Sequence, residues 1–161
     1  MQAEERLRKI ENYGSAYDQL IEALQQFPSE MWHFKAAPND WSIHEIIVHI
    51  ADSEANSFIR CRRAIAEPGS TVMGYDESRW AAELKYSEQS AEDALELFKW
   101  LRLSSTKLIR SVPAETWSNT IEHSENGTMT LDDWLNIYAR HVSDHIEQMQ
   151  KGYTAWLQRR T

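Results

Sequence analysis

The chain has 161 residues, 42% of them hydrophobic, which suits a single domain over residues 1–161 with a core of its own. Its 17 basic and 25 acidic residues give a formal net charge of −8, which argues against a nucleic-acid partner because nucleic-acid-binding surfaces are usually basic. We therefore expect a small-molecule or protein partner. One cysteine rules out an intramolecular disulfide, and the sequence shows no signal peptide or apolar run of membrane-spanning length. These features predict a cytoplasmic protein that is not bound to a membrane.

Four long helical patterns cover most of the chain, and no strand-like alternation of comparable length accompanies them. The first pattern runs from about residue 4 to residue 26 and stops at Pro28, because proline cannot continue a helix. The second begins at Ser42, which forms a predicted capping box with Glu45, and it ends before Pro68. Both helices therefore have clear start or stop signals in the sequence.

The third and fourth helical patterns have similar signals. The third starts near Ser90, carries Asp93 in its first turn and ends before Pro113. The fourth opens at Thr130, with Asp133 three residues further on. Four amphipathic helices of this length pack most simply as a four-helix bundle, so the sequence predicts an all-α fold.

Two connections, residues 67–89 and 113–129, are longer than a bundle needs. Loops of this length often form lids or substrate walls, and crossover connections between distant helices explain them equally well. His123, in the second connection, is interpreted as a local hydrogen-bonding residue and not as a metal ligand. Cys61 lies on the apolar face of the second helix, so we interpret it as a small core residue and not as a nucleophile.

The strongest functional signal is a pair of histidines, His141 and His145, on the apolar face of the fourth helix. The apolar members of that face are Leu131, Trp134, Leu135, Tyr138, Val142, Ile146 and Met149. Residues four apart on a helix have Cβ atoms roughly 5 to 6 Å apart, so both imidazoles should converge on one object. Buried imidazoles need either hydrogen-bond partners or a shared cation, and the pair alone leaves both interpretations open.

His49, on the second helix, is the candidate for a third ligand. It belongs to a polar track beside the apolar face that contains Glu45, His49, Asp52, Ser53, Asn56, Arg60 and Arg63. For Glu45, Asp52 and Arg63, which lie furthest from the apolar face, a solvated surface is the better interpretation. For the inner members, the wall of a pocket competes with that interpretation on equal terms. Helical bundles build metal sites from facing helices, so His49 opposite the histidine pair would fit such a site.

Several motifs occur in a characteristic order between about Trp32 and Met149. They are WSIHEIIVHIADSE, ANSFIR, GYDESRW, an ENG-containing loop, and YARHVSDH followed by IEQ. In this order they resemble the DinB-like superfamily and, within it, the YfiT branch, which includes bacillithiol S-transferases and proteins named metal-dependent hydrolases. The resemblance implies a four-helix bundle with long connecting loops and a divalent metal, nickel or zinc, bound by His49, His141 and His145. The substrate pocket of that family lies over the metal, which makes four residues candidates for catalysis or substrate contact by position: Asn56, Arg60, Tyr75 and Trp80.

The resemblance favours an enzyme, because three neutral imidazoles leave an open coordination position that is typical of catalytic sites. The preferred function is a thiol S-transferase, in which a low-molecular-weight thiol of the bacillithiol type binds as a metal thiolate and attacks a small electrophile. The alternative is a hydrolase that uses metal-bound hydroxide. No acidic residue is placed to protonate a leaving group: Asp52 is expected to face outward, and Glu54 is a candidate hydrogen-bond partner for a histidine. A non-catalytic metal-binding stress-response module and a metal-free interaction protein are further alternatives.

A homodimer is the expected assembly. Bundles readily expose one apolar helix face, and two copies of such a face can cover each other. The candidate interface residues are Trp100, Trp156 and Phe34, each of which fits equally well inside one subunit.

Overall fold

Helices dominate the computed structural model, which describes residues 1–160. The five α-helices are α1 (Ala3–Leu24), α2 (Ile43–Ala66), α3 (Glu77–Glu83), α4 (Ala91–Ile109) and α5 (Leu131–Gln158). The three short strands are β1 (Thr71–Val72), β2 (Thr120–His123) and β3 (Gly127–Thr130). Helices take up 69% of the chain, so the predicted all-α class is confirmed.

The four long helices form a bundle in which consecutive helices are not always neighbours. Helix α2 packs against α4 and α5, and α1 packs against the same two helices. Helices α1 and α2 therefore occupy diagonal corners, as do α4 and α5. The segment 110–130 crosses one end of the bundle, which agrees with the crossover interpretation of its length.

The two long connections contain more regular structure than the sequence predicted. Strand β1 pairs parallel with β2, and β2 pairs antiparallel with β3, so one small sheet joins the two connections. Gly127 opens β3 with a φ of +69°, in the left-handed region that favours glycine. Strands of two to four residues are too short for an alternating pattern to stand out, so the sequence predicted only loops in these segments.

Glu45, which we expected on a solvated surface, is buried because it completes the N-terminal cap of α2. Its carboxylate accepts hydrogen bonds from the Ser42 backbone N–H at 2.9 Å and from the Ser42 hydroxyl at 3.0 Å, and it forms an ion pair with Lys35 at 2.7 Å. The Ser42 hydroxyl in turn accepts a hydrogen bond from the Glu45 backbone N–H at 3.2 Å. The predicted capping box is therefore present, and it sets the start of the helix that carries His49.

Replacing Ser42 with alanine should lower the free energy of unfolding by about 1 kcal/mol, because the first turn of α2 would lose its cap. Chemical denaturation would measure this as a lower midpoint with an unchanged slope. Ser78→Ala is the matched control, since Ser78 is exposed on α3 and no hydrogen bond involving its side chain occurs within residues 1–160. An equal loss in both variants would contradict the capping role.

The interior agrees with two of the sequence interpretations. Cys61 is fully buried, and burial raises the pKa of its thiol to about 12, so it is a core residue without a nucleophilic thiolate. Within residues 1–160, no helix is both long and apolar enough to cross a membrane.

Candidate metal centre

Helices α2 and α5 bring three histidines together in the bundle. His49 comes from α2 and is completely buried, whereas His141 and His145 come from α5 and are partly exposed. One ring nitrogen from each residue lies within 4.8 Å of the others. The three residues predicted as ligands therefore converge, with one side sealed by the core and the other reaching the protein surface.

Neighbouring side chains orient the three rings. The Nδ1 atom of His145 lies 2.9 Å from Oε1 of Gln148, one turn further along α5. Because an amide oxygen can only accept, Nδ1 is the protonated nitrogen of a neutral His145 and Nε2 carries the lone pair. The indole of Trp41 packs against His49 with ring centroids 4.6 Å apart. The Ser53 hydroxyl lies 3.4 Å from Nε2 of His141.

Burial keeps all three imidazoles neutral. It lowers the pKa of His49 to about 3, with the nearby His145 contributing in the same direction. Burial also lowers the pKa of His141 well below its ordinary value and lowers that of His145. Neutral imidazoles are the form that binds a metal, since protonation removes the lone pair.

Three features of the cluster suit a divalent cation with an open coordination position. Both ring nitrogens of His49 are buried without a hydrogen-bond partner within residues 1–160, and a cation would satisfy one of them. The Nε2 atoms of His141 and His145 lie 3.2 Å apart. Two nitrogens that bind one tetrahedral zinc ion at roughly 2.0 to 2.1 Å would be about 3.3 Å apart, so the observed spacing suits a shared cation. Three nitrogens also leave a coordination position free.

A cavity of about 170 Å³ adjoins the cluster at His141. Tyr75 contributes a buried hydroxyl that approaches Ser53 without forming a hydrogen bond. Burial raises the pKa of Tyr75, so its phenol stays protonated as a donor. Arg60 lies in the same wall, where its guanidinium donates to the Tyr138 hydroxyl at 2.8 Å and to the Met73 carbonyl at 2.6 Å. The cavity therefore offers a fixed positive charge and a neutral donor beside the histidines.

Asn56 does not reach this cavity. It lines a separate groove, and its amide donates to the Asp52 carbonyl on its own helix at 2.9 Å. Trp80 lines that second groove as well and packs against Tyr75, with ring centroids 4.4 Å apart. Of the four residues predicted by position, only Arg60 and Tyr75 line the cavity next to His141.

The acidic residues near His49, Asp52 and Glu54, have partners that were not predicted from the sequence. Glu54 does not contact a histidine: its carboxylate accepts hydrogen bonds from the Tyr13 hydroxyl and from Arg102, the latter at 2.6 Å. Asp52, which we expected to face outward, is half-buried, and its carboxylate accepts a hydrogen bond from the hydroxyl of the buried Tyr86 at 2.6 Å. These partners lie far away in sequence, so local spacing could not reveal them.

Arg102 is a buried charged residue that was not predicted from the sequence. It lies on the buried face of α4, four residues after Phe98, and its side chain is 1% exposed. Besides Glu54, its guanidinium contacts the backbone carbonyls of Tyr13 and Tyr138 at 3.2 Å, so it links α4 to α1, α2 and α5. The available signal for a buried charge was an arginine between Phe98 and Ile109 on one helical face.

His123 has the local role that the sequence predicted. Its Nδ1 atom accepts hydrogen bonds from the backbone N–H groups of Glu125 at 3.2 Å and Asn126 at 3.3 Å. Because Nδ1 is the acceptor, the proton of the neutral ring is on Nε2. Strand β2 also places this ring in the wall of the cavity next to His141, a position that its sequence neighbours did not indicate.

Relatives of the chain include a protein of Halalkalibacterium halodurans that carries the provisional name metal-dependent hydrolase. It is 28% identical over 113 residues, which is 70% of this chain and 66% of that protein. The chain thus spans just under two thirds of that relative's length.

Two solved structures share the fold. One is YfiT of Bacillus subtilis, which is provisionally described as a metal-dependent hydrolase with an unusual four-helix bundle topology. It matches with a TM-score of 0.86 at 21% identity, and the match covers 94% of this chain and 87% of the YfiT chain. The other is a mycothiol-dependent maleylpyruvate isomerase, which matches with a TM-score of 0.70 at 15% identity. This match covers 92% of this chain and 61% of the isomerase chain. The sequence model of the DinB superfamily matches residues 13–149. The chain therefore belongs to the DinB superfamily, as its motifs predicted.

Proposed function

We propose that the protein is a divalent-metal-dependent enzyme that activates a low-molecular-weight thiol for transfer to small electrophiles. The observation that carries the metal dependence is the convergence of three neutral imidazoles beside a cavity, where neither ring nitrogen of His49 has a hydrogen-bond partner among the described residues 1–160. A divalent cation bound there would lower the pKa of a thiol or a water molecule and polarise an electrophile. The mycothiol dependence of one structural neighbour supports a thiol as co-substrate.

The cavity residues suggest how such a thiol and its electrophile would be held. Arg60 presents a positive charge whose position is set by Tyr138 and the Met73 carbonyl, so it suits a carboxylate on the thiol or the substrate. The protonated Tyr75 hydroxyl suits an oxygen or a leaving group that gains negative charge during the reaction. The carboxylates of Asp52 and Glu54 are held in other hydrogen bonds, which favours a nucleophile that needs no carboxylate base.

Hydrolysis is the second candidate, and one observation favours it. Glu77 lines the same cavity, and partial burial raises the pKa of its carboxyl group. A carboxyl group of that kind can protonate a leaving group. The provisional names of the relatives point in the same direction.

A conjugation assay separates the two functions. Protein loaded with nickel or zinc should join bacillithiol to monochlorobimane faster than the thiol reacts alone. Tyr75→Phe and Arg60→Met should each lower that rate by about tenfold or more if they stabilise charge in the transition state. Asn56→Ala is the matched control and should retain the rate, because Asn56 lines the other groove.

The outcomes of that assay are distinct. Turnover of esters or amides without any thiol would establish the hydrolase instead. A metal-loaded protein that catalyses neither reaction would support the non-catalytic binding module.

A further inference from the structure

His123 presents an unused hydrogen-bond donor in the wall of the cavity next to His141. His123 is 6% exposed, and two backbone N–H groups of the turn between β2 and β3 hold its Nδ1 atom. Burial and the positive charge of Arg60 lower the pKa of His123, so the ring is neutral and carries its proton on Nε2. This Nε2–H group has no hydrogen-bond partner within residues 1–160. A buried donor that is held so firmly indicates an acceptor on a ligand.

Arg60 and Tyr75 add further donors to the same cavity. The Arg60 guanidinium donates to the Tyr138 hydroxyl and the Met73 carbonyl, which leaves other N–H groups of its planar fork available. The buried Tyr75 hydroxyl has no hydrogen-bond partner in the described part of the chain. A carboxylate accepts several hydrogen bonds and has the charge opposite to that of Arg60, so it suits this set of donors.

Two acidic residues, Glu77 and Glu125, also line the cavity. Neither carboxylate has a hydrogen bond or an ion pair among residues 1–160. Burial raises the pKa of Glu77, and the negative charge of Glu125 raises it further. Glu125 lies against Gly74, where an added Cβ atom would be 2.3 Å from the Glu125 carboxyl group.

The charges of the cavity wall do not balance. Arg60 supplies one positive charge, whereas Glu77 and Glu125 supply two negative charges when both are ionised. A ligand with a carboxylate alone would add to the negative charge, and a ligand that also carries an ammonium group would compensate it. The wall therefore matches a ligand with both charges.

We infer that the cavity binds a small molecule that carries an ammonium and a carboxylate group together, as an amino acid does. The carboxylate would lie at His123 and Arg60, and the ammonium group at Glu77 and Glu125. In the proposed function this molecule is the thiol co-substrate, and that assignment rests on the proposed function. A thiol without one of the two groups would leave charged residues of the wall unpaired, so the wall would select against it.

Four small thiols separate the two contacts. Cysteine carries both groups, 3-mercaptopropionate only the carboxylate, cysteamine only the amine, and 2-mercaptoethanol neither. Titration of the cobalt-loaded protein, followed by the absorption of the cobalt thiolate, measures their binding without turnover. We expect cysteine to bind about tenfold or more tightly than each of the other three, because hydrogen bonds to charged groups are worth about that factor.

Two variants assign the charged groups to residues. His123→Asn keeps an acceptor near the position of Nδ1 and removes the Nε2–H donor. It should weaken the binding of cysteine and 3-mercaptopropionate by about tenfold each and leave cysteamine unchanged. Glu125→Gln should weaken the binding of cysteine and cysteamine and should not weaken that of 3-mercaptopropionate.

Glu122→Gln is the matched control and should change none of the four affinities. Glu122 lies on β2, accepts a hydrogen bond from Thr128 and does not line the cavity. Chelation of cobalt by the amine of a thiol is the same in every variant, so differences between variants report the wall. Elemental analysis would verify equal cobalt content in all of them.

The outcomes separate this inference from the proposed function. Cobalt thiolates that form with all four thiols and are unaffected by His123→Asn and Glu125→Gln would overturn the inference and leave the proposed function intact. No cobalt thiolate with any of the thiols would overturn the proposed function. Calorimetric titration with serine, which has the charged groups of cysteine without the thiol, would then decide the inference. Serine binding that both variants lose would support the inference, and an absence of serine binding would overturn it.

Discussion

Replacing His49 with leucine is expected to abolish metal binding without destabilising the metal-free protein. In the metal-free state the His49 ring is fully buried with neither nitrogen hydrogen-bonded within residues 1–160, and an unsatisfied buried polar group costs about 1 to 3 kcal/mol. Leucine has a comparable volume and no polar atom, so it removes that cost with little change in packing. His49 would therefore be unfavourable for the stability of the metal-free protein, and its role would be to bind the metal.

Two measurements test this expectation. Elemental analysis of protein purified without a tag should show a near-stoichiometric metal in the wild type and none in His49→Leu, His141→Ala or His145→Ala. Denaturation with and without a chelator should show that metal stabilises the wild type, by about 2.7 kcal/mol at a hundredfold excess over the dissociation constant, and leaves His49→Leu unchanged.

His123→Asn is the matched control for metal content. It keeps an acceptor close to the position of Nδ1, which receives the backbone hydrogen bonds, and it changes no residue of the cluster. It should therefore retain the metal. Full metal content in His49→Leu would refute the three-histidine site, and a metal-free wild type that resists reconstitution would refute the metal centre altogether.

Removing Arg102 is expected to cost about 3 to 5 kcal/mol of stability, because Glu54 would remain as an unpaired buried acid. Both side chains are 1% exposed and their closest atoms are 2.6 Å apart. The guanidinium also contacts the carbonyls of Tyr13 and Tyr138. Arg102→Met should lower the melting temperature by roughly 10 °C, given about 2 to 4 °C per kcal/mol for a chain of this size.

The pH dependence of stability that comes from Glu54 should also become stronger in the Arg102→Met variant, because the Glu54 pKa is already raised in the wild type. Burial raises the pKa of Glu54, and Arg102 opposes that shift in the wild type. Without Arg102 the folded state would bind the Glu54 proton more tightly than the unfolded state, so stability should fall as the pH rises above about 4.3, the ordinary pKa of glutamate. Chemical denaturation of the variant at pH 4 and pH 7 would measure this loss.

A double variant and a surface control make the test specific. Glu54→Leu combined with Arg102→Met should recover most of the lost stability, because a buried ion pair can often be replaced by apolar residues. Arg110→Met removes an ion pair with Glu11 whose side chains are more than half exposed, and it should cost less than about 1 kcal/mol. A small loss in Arg102→Met, comparable to that in Arg110→Met, would contradict the importance of the buried pair.

Much of the architecture was predictable because its signals are local. The capping residues Ser42, Ser90 and Thr130 lie directly before α2, α4 and α5, and each hydroxyl accepts a backbone hydrogen bond three residues on. The small sheet was missed because its strands are too short to carry a pattern. Its position nevertheless matters, since it places His123 in the wall of the cavity.

The sequence by itself determined the helical bundle, the histidine pair on α5 and, through the family motifs, the selection of His49. These features depend on spacing along one helix or on the order of motifs, which a sequence displays directly. Only the tertiary structure decided that Tyr75 and Arg60 line the cavity while Asn56 does not, and that Glu54 pairs with Arg102, 48 residues away. Which polar residues meet across helices depends on the order and rotation of those helices in the bundle, and no local pattern in the chain specifies either.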